Sequence, residues 1–250
     1  MKAHARLTAC FEGGRTVLRE LRSMAPLTLL PKRGTGASAV VHLVNSATSP
    51  LGGDELKLTI RVGPGASLRI SGVAATIALP GLHGEGSSSL VDVVVEAGGS
   101  LEYLPEPTVV TARARHSAVL RAALAEDACL HTREVLVLGR AGERPGSLVT
   151  TQHVTRGEVP VLRQTLEIGD STLDSSLAHL AGRRVLATDL VVGGPSVPEA
   201  CGDWWSRTSL AAGGILTTSL APDAVTALKV FDLTSKQAFR KFQTDSRPNQ

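Results

Sequence analysis

The fold is decided by a stretch that reads LKLTIRV at residues 56–62, GPG at 63–65 and ASLRI at 66–70. Apolar and polar side chains alternate along its first part, which is the two-residue period of a half-buried β-strand. Glycine and proline then turn the chain, and the alternation resumes after the turn. The stretch therefore predicts a strand, a tight turn and a second strand.

The same pattern returns further along the chain, with a second turn at Gly98-Gly99 and a weaker third copy that has Glu126-Asp127 at its turn. A spacing of six residues is shared by three pairs, which are Val62 and Leu68, Val95 and Leu101, and Leu124 and Leu130. Repeats of this kind are typical of supersecondary units that bury a core by stacking, although chance similarity is the alternative. We therefore predict a mainly β protein with stacked or solenoid-like sheets built from hairpin units.

Several other segments have strand character: Ala39–Val44, Thr108–Ala112, Glu134–Leu138, Ser147–His153, Pro160–Ile168 and Val185–Val192. The stretch His116–Leu138 also fits a helical face, because alanine and leucine favour helices. The position of Glu126-Asp127, where the other units have their turns, favours strands for this stretch.

One or two short helices are expected. Asp223 is placed to cap a helix that runs from Val225 to Phe231, and a second helix is expected within Ser175–Ala181. We find no internal linker, so residues 1–250 are interpreted as a single domain. Its core is expected at about residues 29–231, with the first 30 and the last 15 residues less ordered.

Composition limits the class of protein. Aromatic residues make up only 3% of the chain, so aliphatic side chains must fill the core. The net charge is +3, and basic residues cluster only near Lys236, Arg240 and Lys241, so we expect no nucleic-acid partner. No window approaches the ~20 apolar residues of a membrane span, and charged residues interrupt the N-terminus. A soluble, cytoplasmic protein is expected.

The motifs of common enzymes and metal sites are absent from the sequence. The cysteines Cys10, Cys129 and Cys201 are far apart, which excludes a disulfide framework and a zinc knuckle. No two of the seven histidines lie within four residues of each other. The chain has no phosphate-binding loop, zinc-protease motif or nucleophile elbow. We therefore expect a protein that is not an enzyme and has no tightly bound cofactor.

Four segments carry a resemblance to a known family. They are PLGGDEL at residues 50–56, residues 65–76, LEYLPEP at 101–107 and residues 134–143. Their content, order and spacing resemble the UreD family of urease accessory proteins, also called UreH, in an actinobacterial-type branch. The chain departs from the family at Ser71-Gly72-Val73, where many members have Thr-Thr-Gln.

This resemblance implies a β-rich fold with a couple of helices, and it implies a role. Proteins similar to UreD join UreF-like partners and UreG-like partners, the latter a GTPase, and dock this assembly onto apo-urease. Nickel is then inserted into the urease active site with the help of the assembly. We therefore expect a non-catalytic scaffold or chaperone that contacts nickel(II) transiently.

Transfer of a metal ion needs weak, exchangeable ligands, and carboxylate oxygens bind nickel(II) less firmly than thiolate or imidazole. The candidates for such ligands are acids in glycine- or proline-rich turns: Asp54, Glu102, Glu106 and Glu143. Trp204 and Trp205 are candidates for partner binding, because tryptophan is enriched at interface hot spots. The alternative for this pair is that one ring packs in the core and the other covers the surface.

Two other functions compete with this interpretation. The first is a β-rich binding module unrelated to nickel. The second is an enzyme in which Glu102 and Glu143 form a general acid–base pair. The sequence contains no nucleophile or cofactor motif to support the second alternative.

Overall fold

The computed structural model describes residues 1–34, 36–82, 84–194 and 197–234. Within these ranges the chain forms eighteen strands and two helices. In chain order they are β1 Lys2–Glu12, β2 Arg15–Arg22, β3 Leu27–Lys32, β4 Ala39–Asn45, β5 Glu55–Val62, β6 Ser67–Gly72, β7 Thr76–Ala78, β8 Ser87–Val95, β9 Ser100–Leu104, β10 Thr108–Val110, β11 Arg115–Leu124, β12 Cys129–Leu138, β13 Ser147–Arg156, β14 Val159–Ile168, α1 Ser171–Ser175, β15 Val185–Val192, β16 Ala200–Gly202, β17 Trp205–Ser209, β18 Ile215–Ala221 and α2 Ala224–Thr234.

The strands form two sheets that face each other. The first has the order β14-β13-β11-β8-β5-β1-β2. The second has the order β16-β17-β18-β15-β12-β9-β6-β4-β3, and β10 and β7 extend it beside β12. Neighbours from β1 to β13 in the first sheet and from β4 to β12 in the second are parallel, while the outer strands are antiparallel. The mainly β, solenoid-like fold is therefore as predicted. Its units are coils and not the predicted hairpins, because the two strands of each repeat lie in different sheets and pair with the next repeat.

The three repeats identified in the sequence are three stacked coils of this solenoid. In the first sheet, Val62 pairs with Val95, and Val95 pairs with Leu124. In the second sheet, Leu68, Leu101 and Leu130 are in register in the same way. The stretch His116–Leu138 forms strands β11 and β12, with Glu126-Asp127 at the turn between them, which confirms that prediction.

The corners between the sheets stack as well. Gly65 and Gly98 both have φ of +64°, a conformation that costs glycine little and other residues more. The Gly65 N–H donates to the Ala97 carbonyl at 2.9 Å, which links the first corner to the second. In the third corner Asp127 takes part, and its carboxylate accepts a hydrogen bond from the Gly98 N–H at 2.9 Å. These bonds fix the rise from one coil to the next.

The main core lies between the two sheets and is almost entirely aliphatic. Side chains from alternate positions of facing strands meet there, among them Leu7, Ile60, Leu68, Leu101 and Leu130. Helix α2 instead packs on the outer face of the second sheet, where Phe231 is fully buried against Val135 and Ala187. The Arg133 guanidinium lies 5.0 Å from the centre of the Phe231 ring.

The helix predicted near the C-terminus is present as α2, but the prediction for the shorter helix was wrong in position. Helix α1 ends at Ser175, so residues 176–181 are outside it. The reason is a cap that the sequence reading overlooked: the Asp170 carboxylate accepts hydrogen bonds from the Thr172 and Leu173 N–H groups. This cap starts the helix earlier than predicted.

The N-terminal segment also differs from expectation. The first 30 residues form β1, β2 and most of β3, and Ala5, Leu7 and Ala9 of β1 are buried. They are ordered because β1 lies inside the first sheet, between β2 and β5. The last 15 residues, with the cluster Lys236, Arg240 and Lys241, lie outside the described residues.

One histidine is built into the interior. The His116 ring has the Ser87 hydroxyl 2.9 Å from Nδ1 and the Ser89 hydroxyl 3.1 Å from Nε2. Burial disfavours the imidazolium and lowers the His116 pKa from 6.5 to about 4, although a hydrogen bond with the Ser87 backbone opposes this effect. The ring is therefore neutral at physiological pH.

We predict that His116 makes the fold sensitive to acid. The folded-state pKa lies below that of an unfolded histidine, so stability present above about pH 6.5 is lost as the pH falls toward 4. Between pH 7.5 and pH 5 the His116→Gln variant should lose about 2 kcal/mol less unfolding free energy than the wild type. Urea denaturation at the two pH values measures this difference.

The matched control is His153→Gln, because His153 is on the outer face of β13 and half-buried. This variant should keep the wild-type pH dependence. If His116→Gln and the wild type lose the same free energy of unfolding between pH 7.5 and pH 5, His116 is not the acid-sensitive group.

Candidate functional site between the two sheets

A cavity of about 170 Å³ lies between the sheets. Its wall is mainly aliphatic, with Leu58 and Leu120 on the first sheet and Leu136 on the second. Asn45, Ala74 and Glu106 also line it, and all three are exposed, so the cavity opens to solvent beside them. It is large enough to admit several water molecules or a hydrated ion, because one water needs only about 10–15 Å³.

Glu134 places a carboxyl group inside this cavity. Even-numbered residues of β12 face the first sheet, because Leu130, Thr132, Glu134 and Leu136 follow the alternation of a strand. One Glu134 oxygen accepts a hydrogen bond from the Thr150 hydroxyl at 2.7 Å, and the other accepts from Gln152 Nε2 at 3.1 Å. Gln152 Nε2 also lies 3.2 Å from the Thr188 hydroxyl. The Glu134 carboxyl group is thus held by two side chains of β13, which belongs to the opposite sheet.

The surroundings disfavour a negative charge on Glu134. Burial raises the Glu134 pKa, and the hydrogen bonds from Thr150 and Gln152 only partly offset the effect. The neighbouring Tyr103 hydroxyl is also buried, and both burial and the nearby Glu134 raise its pKa. A cation that reached Glu134 would favour the ionised form, so binding of the cation and loss of the proton are coupled.

Of the four carboxylates predicted from the sequence, Glu106 alone lines this cavity within the described part of the chain. It is exposed at the mouth, in the loop between β9 and β10. Its backbone packs tightly against Gly72, where a Cβ atom would lie 2.5 Å from Glu106 N. The lack of a side chain at Gly72 therefore lets this loop approach β6 closely.

Asp54 is 3% exposed and lies away from the cavity wall. Its carboxylate accepts hydrogen bonds from the Ser49 hydroxyl at 2.7 Å and the Leu51 N–H at 2.9 Å, and it forms an ion pair with the Met1 ammonium group. Burial alone would raise the Asp54 pKa, but these donors outweigh it and hold the pKa below its usual range. Asp54 therefore ties the loop before β5 to the N-terminus.

Glu102 and Glu143 are engaged elsewhere. Glu102 is on the outer face of β9, with its carboxylate 3.8 Å from the Arg69 guanidinium. Glu143 lies in the loop after β12, where hydrogen bonds from the Arg140 side chain and N–H lower its pKa to about 2. The structure therefore does not bring the four predicted carboxylates together.

The two tryptophans have different environments. Trp204 is 44% exposed and has φ of +65°, and the Arg183 guanidinium lies 3.9 Å from the centre of its ring. Trp205 begins β17 and packs against Gly202, where a Cβ atom would lie 2.3 Å from the indole nitrogen. Trp204 thus presents a large ring, held by a cation–π contact, at the surface.

Glu134 was not among the carboxylates that we selected from the sequence. The signal was present, because an acid that occupies an inward position of an apolar alternation must face the core. The selection favoured acids in glycine- or proline-rich turns instead, and of the four acids selected only Glu106 is exposed. Within the described residues, no three His, Cys, Asp or Glu side chains are grouped to hold a metal ion. The described helices include none that is long and apolar enough to span a membrane.

Comparison with known proteins places the chain in a family. Residues 1–246 match the family model of the UreD urease accessory protein. The chain is 56% identical over 220 residues to urease accessory protein UreD 1 of Saccharopolyspora erythraea, with 86% of each chain covered. It is 38% identical to urease accessory protein UreD of Parafrankia sp., with 93% of this chain and 87% of the relative covered. The corresponding protein of Streptomyces avermitilis is 36% identical, over 93% and 95% of the two chains. The chain therefore belongs to the UreD family of urease accessory proteins.

Proposed function

We propose that this protein is a non-catalytic, cytoplasmic scaffold that helps to insert nickel into apo-urease, together with UreF-like and UreG-like partners. Membership of the urease accessory family supports a role in urease maturation. The observation that carries the nickel-specific part is the Glu134 carboxyl group inside a cavity with an exposed carboxylate, Glu106, at its mouth. The UreG-like GTPase supplies the free energy in this scheme.

Nickel is the cargo in this scheme, so the protein must bind the ion weakly enough to release it. Glu106 receives the hydrated dication at the mouth, where its charge attracts cations at little desolvation cost. Inside the cavity, the cation favours the ionised form of Glu134, and the carboxylate oxygens compensate for lost water ligands. A single carboxylate among hydroxyl and amide groups holds nickel less firmly than a cage of thiolates and imidazoles does. The ion therefore remains exchangeable.

The other three predicted carboxylates receive a different assignment. Asp54 has donors for both of its oxygens, and Glu102 and Glu143 each lie beside an arginine. A nickel ion would have to displace these groups before it could bind. We therefore assign Asp54 and Glu143 to holding their loops and Glu102 to pairing with Arg69. We retain Glu106 and Glu134 for the metal. Trp204 remains our candidate for contact with a partner, because its ring is exposed and held in place.

The role in maturation is tested in cells that carry the urease gene cluster with this gene deleted. Urease purified from them should be inactive and poor in nickel, and re-expression of this protein should restore both properties. Nickel content per urease subunit, measured by mass spectrometry, is the direct readout. Fully active, nickel-replete urease from the deletion strain would contradict the proposed function.

A substitution tests the role of the cavity. We predict that Glu134→Gln, which keeps the shape of the side chain and removes the charge, lowers nickel incorporation about ten-fold at limiting nickel. Excess nickel should restore part of the activity, because a lost weak ligand slows transfer without blocking it. Urease activity is measured in the complemented deletion strain at several nickel concentrations.

The matched control is Glu167→Gln, since Glu167 is exposed on the outer edge strand β14. This variant should activate urease as the wild type does. The two variants should also unfold at similar urea concentrations, which separates a loss of function from a loss of folding. If Glu134→Gln matches the control at every nickel concentration, nickel does not use this carboxylate.

A further inference from the structure

A second cavity, of about 280 Å³, lies where the ends of strands from both sheets meet. Arg156, the last residue of β13, enters it from the first sheet. The second sheet contributes Gly193 and Gly194 after β15, and Gly213 and Gly214 before β18. The wall on that side is therefore largely backbone. The cavity is separate from the one that contains Glu134.

Arg156 is the one charged residue on the described wall of this cavity. Its Nε–H is buried and has no hydrogen-bond acceptor, and within the described residues no carboxylate lies within ion-pair distance of its guanidinium. Among the acids of neighbouring segments, Glu199 accepts from the Ser209 N–H and Asp127 accepts from the Gly98 N–H. The Glu126 carboxylate lies beside Gly157, where a Cβ atom would be 2.3 Å from its Oε1. Within the part of the chain that the structure describes, the guanidinium thus brings a positive charge to the cavity without forming an ion pair.

The glycines leave room beside this charge. A Cβ atom at Gly213 would lie 3.2 Å from Arg156 Nη1, so a side chain there would crowd the guanidinium. Gly193, Gly213 and Gly214 have positive φ, at +79°, +82° and +116°, which other residues rarely adopt. The volume is also far larger than the 10–15 Å³ that one water requires. A ligand of several heavy atoms therefore fits against the guanidinium.

The chemistry of the ligand follows from the guanidinium. Arginine presents parallel N–H groups that match the paired oxygens of a carboxylate or a phosphate. An unpaired charge in a partly buried position is costly, and an oxyanion removes that cost more completely than water does. The Ser209 hydroxyl on the same wall is a further donor.

We propose that Arg156 and the surrounding glycine wall form a binding site for a small oxyanion, a carboxylate or a phosphate. The bound anion joins the end of β13 in the first sheet to the ends of β15 and β18 in the second. It therefore stabilises the fold where strands of the two sheets meet. This inference is independent of the nickel role, which uses the other cavity.

The site is tested with the full chain and inorganic phosphate, with chloride at equal ionic strength as the reference and acetate as a second arm. Phosphate should raise the melting temperature saturably, and it should shift the Arg156 Nε–H resonance in a ¹H–¹⁵N spectrum with one-site behaviour. A response to acetate as well would identify the site as a general oxyanion site, and a response to phosphate alone would narrow the ligand to phosphates.

The variants are Arg156→Gln and, as the matched control, Arg163→Gln, since Arg163 is exposed on the neighbouring strand β14. The first should lose the phosphate response and the second should keep it. The wild-type Arg156 resonance decides the question even if Arg156→Gln folds poorly. No shift of that resonance with either anion, or an equal thermal response in both variants, would overturn the proposal.

Discussion

The structure depends on one constraint, which is that successive coils stack in register through their parallel strands and their corners. Val62, Val95 and Leu124 form one column, and Leu68, Leu101 and Leu130 form the facing one. Each coil alone has too few apolar side chains to bury a core, so the free energy of burial is obtained only when neighbours stack. At every corner, the residue of the second column follows the residue of the first column by six positions. Each repeat therefore adds one strand to each sheet.

The stacking also determines where polar groups can be placed. Once the columns are fixed, every second residue of β12 faces the interior. Glu134 is one of these inward residues, whereas His131, which pairs with Glu102, is on the outer face. The buried carboxyl group is tolerated because Thr150 and Gln152 of the opposite sheet donate to it. In the proposed function, this carboxyl group, which solvent reaches past Glu106, is the interior site that a dication enters and leaves. The fold therefore supplies the weak interior ligand that the proposed nickel delivery uses.

Much of the fold could be predicted from the sequence, and the site could be predicted only in part. The alternation and the six-residue spacing revealed the stacked strands, because both are local patterns. The short helix was misplaced because the cap at Asp170 was overlooked. The order of the N-terminus was underestimated because it comes from pairing with β5, in which each paired residue of β1 lies opposite one 53 positions later in the chain. In the sequence, Asp54 and Glu143 look free to bind a metal ion. The structure shows that they are engaged by Ser49 and Arg140, respectively. Glu134 was not selected, although its inward position in the alternation of β12 could be derived from the sequence.

The most direct test of this account is a titration of isotope-labelled protein with nickel(II), followed through the Gln152 side-chain amide signal. Gln152 Nε2 lies 3.1 Å from the Glu134 carboxyl oxygen, so a paramagnetic ion at Glu134 must broaden that signal. We predict that sub-stoichiometric nickel broadens the Gln152 signal in the wild type and that the signal stays sharp in Glu134→Gln. A Gln152 signal that stays sharp while signals beside exposed carboxylates broaden would contradict the account.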